Sequence, residues 1–349
     1  MLSSQMSPSR RRFLHSATLA GLASPFLRFT SPPPKLLKPP RLRPGQTVGL
    51  VCPATAAFLQ EEVEIAKESI EALGLKVREG KSLRSRYGYL AGTDEERAAD
   101  LHAMFADPEV HAVFVMHGGW GCSRLLPLLD YDLIRRHPKI LMGYSDVTAL
   151  LLGIQARTGL VTFHGPVGAS TWNAFSVDYL RRLLFDGEAV IYQNPTDKGD
   201  NLTQVENRIR TLRPGKVRGR LLGGNLTVLT AIVGSPYLPD WKDAILFVED
   251  VGEKIYRIDR MLTQLALADI LPRLKGFVFG HCSDCPPGEG YASFTLEEVL
   301  DDHIVPLQIP AFSGSMIGHI KDKFTVPLGV EAEIDAATGS IRLLEGAVS

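Results

Sequence analysis

No uninterrupted apolar run in this chain is long enough to cross a bilayer, which argues against integral membrane association. An excess of charge of one sign is also missing. Thirty-eight Lys and Arg stand against 39 Asp and Glu, for a formal net charge of -1, and no basic tract occurs beyond the N-terminus. Nucleic-acid binders carry a basic face or stripe, so a nucleic-acid partner is set aside. Cysteine is scarce: four in 349 residues are too few for a disulfide framework. Cys282 and Cys285 form a lone C-x-x-C after His281, with no second ligand pair at zinc spacing. No metal is therefore assigned. The two cysteines read as ordinary buried thiols, with pairing in an oxidising compartment as the alternative. No internal repeat is visible.

What remains is a chain of enzyme-like composition, 45% apolar and 22% charged, with length for two ordinary domains. Residues 1–30 read as a targeting segment. Ser9-Arg-Arg-Arg-Phe-Leu-His15 is similar to a twin-arginine export signal, and a modest apolar run with small residues near Gly21–Ser24 follows it. Export to the periplasm is the expectation, and a cytoplasmic location follows if the signal does not operate. Residues 31–41, with Ser31-Pro-Pro-Pro34 and Pro39-Pro40, read as an extended linker.

From residue 42 to 165 apolar strands alternate with helical patterns: Thr47–Val51, a helix ending at Gly74, Leu75–Val77, a capping box at Thr93–Glu96, then Val110–Met116. Alternation of this kind implies an α/β fold with a parallel sheet covered on both faces. Sites in such sheets form at the carboxyl ends of the strands. Three loops leave those ends, Cys52–Thr55, His117–Gly121 and Tyr144–Asp146. Residues 166–215 read as an irregular polar connection between domains. A second domain, 216–349, opens with Lys216–Leu222. It continues through a helix begun by Gly223-Gly224-Asn225, a strand Ala244–Val248 ending in Glu249-Asp250, a helix Ile255–Leu267 and a terminal hairpin.

The sharpest chemical signal is Lys139-Ile-Leu-Met-Gly-Tyr-Ser-Asp-Val147. A strand that turns abruptly into a helix pushes its turn residue outward, beside the first N–H groups of the helix. A serine there can be a nucleophile whose oxyanion meets backbone donors. The competing reading is that Ser145 and Asp146 only cap the helix. A nucleophilic serine needs a base and the base an orienting group. Among nine histidines, His319 sits in a glycine-rich loop, and Glu249 closes a buried strand. Gly118, Gly119 and Gly121 make a loop able to offer N–H groups to an anion.

Taken together, these pieces resemble the LD-carboxypeptidases of serine peptidase family S66. The resemblance rests on Leu42–Pro53, Gly118-Gly-Trp-Gly121 with Arg124-Leu-Leu-Pro127, Gly143–Ala149, Phe163-His-Gly-Pro166, Gly223-Gly-Asn-Leu226, Val248–Glu253, Tyr256–Leu262 and Gly318-His319. It implies an N-terminal Rossmann or flavodoxin-like domain, a smaller C-terminal mixed α/β domain of swivelling type, and a site at their interface. It also implies a Ser145, Glu249, His319 triad, oxyanion donors at the backbone of Asp146 and Gly119, no cofactor and no metal, and a homodimer. The implied activity is release of terminal D-alanine from the murein tetrapeptide in peptidoglycan turnover or recycling. Trp120 stands where the family commonly has tyrosine, and bears on substrate preference. One branch of the family cleaves an acyl-nucleotide antibiotic and gives immunity to it, and stacks the base on aromatics. A non-catalytic murein-peptide binder is the third reading. Asn225 is a further candidate for substrate contact, and Arg124, Arg260 and Lys321 are candidates for reading the substrate carboxylate.

Overall fold

Apolar runs in the first half pair side by side. Strands β1 (Thr47–Val51), β2 (Lys76–Glu79), β3 (Val110–Val115), β4 (Ile140–Gly143) and β5 (Thr162–His164) lie in the order β2-β1-β3-β4-β5 in a computed structural model describing residues 34–288 and 293–349. All four pairings are parallel. In this order the chain reverses direction across the sheet between β1 and β3, which opens a crevice at their carboxyl ends. The flavodoxin-like expectation is met. The twin-arginine-type segment lies outside the described residues.

Helices α1 (Gln60–Ala72), α2 (Asp94–Ala106), α3 (Cys122–Leu125), α4 (Tyr131–Arg136) and α5 (Thr148–Thr158) connect these strands. Val63, Ala66 and Ile70 form the buried stripe of α1 at helical spacing. At the start of α2, Glu96 N–H donates to Thr93 Oγ1 at 3.2 Å and Thr93 N–H to Glu96 Oε2 at 2.8 Å, the reciprocal capping box expected from the sequence. Helix α5 differs in being buried on every face from Thr148 to Gln155. A helix apolar all round must be covered all round. It carries the first sheet on one side and meets the second domain on the other, where Asn225 N–H donates to Thr148 Oγ1 at 2.9 Å.

The stretch 166–215 is not irregular throughout, contrary to expectation. It holds α6 (Ala174–Leu184), whose N-cap Asn173 accepts from Ser176 N–H and whose Leu180, Leu183 and Leu184 are buried. It also supplies two short strands, β6 (Ile191–Tyr192) and β7 (Arg210–Arg213), to the second sheet. That sheet continues with β8 (Lys216–Asn225), helix α7 (Leu226–Ala231), β9 (Ala244–Val251), helix α8 (Ile255–Leu267), β10 (Gly276–Ser283), helix α9 (Leu296–Ile304) and β11 (Ala311–Ser313). β12 (Val326–Leu328), β13 (Glu331–Asp335) and β14 (Ser340–Leu343) complete the chain. The order is β6-β14-β13-β8-β9-β10-β11-β7, parallel from β8 to β11 and antiparallel outside them. β12 returns to the first sheet and pairs antiparallel with β5. Pro327 fits there because β12 is the edge strand.

Two further expectations are corrected. Cys282 and Cys285 are joined in a disulfide and are not ordinary thiols; Cys52 and Cys122 are buried and free. The described part of the Pro-rich segment is docked: Leu37 N–H donates to Gly159 O, Val161 N–H to Leu37 O, and Arg41 N–H to Ser349 O, at 2.9, 2.9 and 3.0 Å.

Candidate active site

Strand β4 ends at Gly143, Tyr144 is extended, and Ser145 takes φ 64°, a left-handed conformation uncommon for a residue with a Cβ. Strain of this kind persists only where the surroundings impose it. One 3-10 turn, Ser145–Val147, then feeds α5. The buried Asp146 carboxylate accepts from Cys122 N–H at 2.8 Å, which ties the elbow to the glycine loop, and burial raises its carboxyl above the ordinary value.

The three loops expected to converge do so. Thr55 N–H donates to Gly118 O and Trp120 N–H to Thr55 Oγ1, both at 3.3 Å. A Cβ at Gly119, which has φ 102°, would collide with Thr55 Oγ1. A Cβ at Gly118 would lie 2.8 Å from Ser145 Cβ, 3.1 Å from Ser145 Oγ and 3.5 Å from Asp146 N. The loop therefore needs glycine to approach the serine, and it lays backbone against the side chain of Ser145.

From the second domain, β9 presents Glu249, and the loop after β11 presents His319. His319 Nδ1 lies 2.7 Å from Glu249 Oε2. Glu249 is fully buried, and His319 keeps part of its side chain exposed. Burial works to raise the Glu249 carboxyl, but the His319 hydrogen bond and the nearby imidazoles of His319 and His164 outweigh it and hold the group below its ordinary value. The ring of Tyr144, next to Ser145, meets the His319 ring edge-on with centroids 4.7 Å apart. Asp250 turns the other way, accepting from Asn225 Nδ2 at 3.0 Å and from Thr227 N–H at 2.9 Å, and burial pushes its carboxyl up to about 6.

Comparison with known proteins decides the family. Residues 48–165 match the LD-carboxypeptidase N-terminal domain of peptidase family S66, and residues 218–334 match its C-terminal domain. The chain belongs to family S66. It is a serine-type carboxypeptidase by that membership. It is 40% identical over 300 residues to a probable murein peptide carboxypeptidase of Bacillus subtilis, covering 86% of this chain and 92% of that one. Among solved structures, the microcin C7 self-immunity protein MccF superposes with TM-score 0.81 at 30% identity, covering 90% and 100% of the two chains. A muramoyltetrapeptide carboxypeptidase from Oxalobacter formigenes gives 0.74 at 29%, covering 85% and 98%.

In this S66 chain the remaining candidates separate. Trp120, 68% exposed, and Arg124 line a cavity of about 230 Å³ with Tyr89, Asp146, Thr227 and Val228, so walls from both domains enclose it. Arg124 is engaged with Asp94 Oδ2 at 2.9 Å through Nε and Nη2. Asn225 is buried; its Oδ1 caps α7 at Val228 N–H and its Nδ2 holds Asp250. Arg260 is exposed on α8 over the Tyr256 ring, and Lys321 is exposed with its carbonyl accepting from Asn173 Nδ2 at 2.8 Å.

Two residues at this site escaped sequence reasoning. His164, at the end of β5, is buried with neither ring nitrogen hydrogen-bonded among the described residues, and burial pushes it down to about 4. Its ring stands edge-on to Tyr144 and Phe247. Lys323 is 5% exposed, with Nζ 4.3 Å from the centroid of the Tyr144 ring. The Phe163-His-Gly-Pro166 motif was a pointer to His164. Lys323 carried no such signal.

Proposed function

We propose that the chain releases terminal D-alanine from murein tetrapeptide, with Ser145 as nucleophile, His319 as base and Glu249 as orienting group. The observation that carries the reading is the 2.7 Å contact between His319 Nδ1 and the buried Glu249, one aromatic ring from a serine at a strained strand-to-helix turn. With Nδ1 engaged, Nε2 is the nitrogen left to take the serine proton. Ser145 Oγ adds to the carbonyl of the L-centre. The N–H groups of Gly119 and Asp146 receive the oxyanion. His319 then returns its proton to the departing amine of D-alanine, and water, activated by the same imidazole, releases the tripeptide. The name of the Bacillus relative supports a murein peptide as substrate.

A second reading, cleavage of an acyl-nucleotide amide, is favoured by the likeness to MccF and by the exposed Trp120 at the cavity mouth, where a base can stack. Incubation of pure protein with murein tetrapeptide, followed by mass analysis, tests the first reading. Tripeptide plus free D-alanine is the expected product. An intact tetrapeptide alongside a cleaved aminoacyl sulfamoyl nucleoside would select the second. Export through the twin-arginine route and a homodimeric assembly complete the proposal.

A further inference from the structure

A carboxypeptidase has to recognise that its substrate ends, and the usual chemistry is a cation for the terminal carboxylate. Five other basic side chains come into question on the elements that build the site. Arg97 is buried, but its guanidinium donates to Pro53 O, Gly121 O and Asp94. Arg124 is held by the same Asp94. Lys139 donates to the carbonyls of Met104 and Asp107. Lys321 is exposed, and Arg260 is exposed on α8.

Lys323 differs from all of them. It is 5% exposed, and among the described residues its ammonium has neither a hydrogen-bond acceptor nor an ion-pair partner. It lies over the Tyr144 ring, 4.3 Å from the centroid. A π-face offsets part of a buried charge and accepts none of the three N–H donors in good geometry. An ammonium so largely desolvated gains when an anion arrives. Desolvation depresses Lys323 to about 8, and the charge that offsets this is the Glu249 carboxylate, whose Oε2 is bonded to His319 and which makes no hydrogen bond to the ammonium. The backbone holds the residue in place, since Lys323 N–H donates to Ser176 Oγ at 3.0 Å. The ammonium therefore sits beside the neighbour of the nucleophile, on the same loop as the base. In a peptide whose scissile carbonyl lies on Ser145, the carboxylate of the departing residue is only a few bonds away.

We propose that Lys323 reads the free C-terminal carboxylate of the substrate and so confines cleavage to the last peptide bond. The proposal rests on the peptidase reading above and deepens it: the ligand class is a peptide ending in a free α-carboxylate.

The test measures binding apart from turnover. The full-length Ser145→Ala protein is titrated with murein tetrapeptide and with its C-terminal carboxamide. The acid should bind about 10- to 100-fold more tightly than the amide, the range of a charge-assisted hydrogen bond. Adding Lys323→Met or Lys323→Gln should erase that preference, and Lys323→Arg should retain part of it. Thermal unfolding checks each variant, and the acid-to-amide comparison needs no lysine variant at all. Equal binding of acid and amide, or a preference that survives both neutral substitutions, overturns the assignment. Tetrapeptide cleavage by the wild type without acid preference sinks Lys323 alone. Acid-selective binding that depends on Lys323, with no cleavage, sinks the peptidase reading and leaves the carboxylate site standing.

Discussion

His319 Nδ1 and Glu249 Oε2 lie 2.7 Å apart although 70 residues separate them in the chain. They come from different elements: Glu249 from the buried strand β9, His319 from a loop that begins where β11 ends. Gly318, at φ 137°, brings that loop against the carboxylate, since a Cβ there would lie 3.2 Å from Glu249 Cβ. A histidine so oriented has one nitrogen left for proton transfer, and this makes the proposed triad testable as a unit.

Removing Ser145 or His319 as Ala should lower kcat on the order of 10⁴-fold, by analogy with other serine triads. The double substitution should cost no more than either alone, because one missing member idles the other. Glu249→Gln keeps the shape and loses the anion, so its loss should fall in kcat while KM stays near wild type. The fold should survive Ser145→Ala, which thermal unfolding checks. A folded Ser145→Ala protein within about tenfold of wild type would end the serine mechanism.

Much of this arrangement is legible in the residues because the signals are local. The apolar strands, the Thr93–Glu96 capping box and the abrupt stop of β4 at Tyr144-Ser145 are written within a few positions. Helix α6 was legible too, since Asn173 caps it and Leu180, Leu183 and Leu184 keep helical spacing, but polar neighbours on both sides masked it. Lys323 and β12 were not. Lys321 and Lys323 are alike in sequence, and the long-range contacts of the segment, the pairing of Val326–Leu328 with Thr162–His164 and the Lys323 N–H bond to Ser176, leave one exposed and the other buried. A pairing across about 160 residues has no local sign.

Location gives a second prediction. Replacing Arg10 and Arg11 by Lys removes the paired arginines of Ser9–His15. Fractionated cells should then show the protein retained in the cytoplasm. Normal amounts of mature protein in the periplasm would show that the segment does not route it.

The disulfide gives a third. Ser283 lies between Cys282 and Cys285, and its hydroxyl donates to the His319 carbonyl at 2.9 Å. Opening the disulfide should therefore loosen His319, the proposed base, as well as the fold. A loop this short is worth about 2 kcal/mol at most in chain entropy, so reductant should lower Tm by a few degrees and kcat by a few-fold, with KM steady. Thiol titration of the denatured protein should count two free groups before reduction, from Cys52 and Cys122, and four after. Four thiols without reductant, or unchanged Tm and kcat with it, would remove this role.

His164 gives the last. Its imidazole is buried against Tyr144 and Phe247, and burial holds it down to about 4 from an ordinary 6.5. The charged groups around it are Glu249, which favours the protonated ring, and His319 and Lys323, which oppose it. Between these two values the unfolded chain binds a proton that the folded chain refuses. Stability due to this group is therefore full above about pH 6.5 and falls as pH drops toward 4. The loss should be on the order of 3 kcal/mol, since each tenfold weakening of proton binding corresponds to about 1.4 kcal/mol. His164→Gln and His164→Phe remove the titration. Urea unfolding of the wild type and both variants at a series of pH values from 7 to 4 measures it. The wild type should lose more stability than either variant over that range, even if the variants start lower at pH 7 from altered packing. Parallel curves for all three would mean that His164 is protonated in the folded protein or exchanges with solvent there.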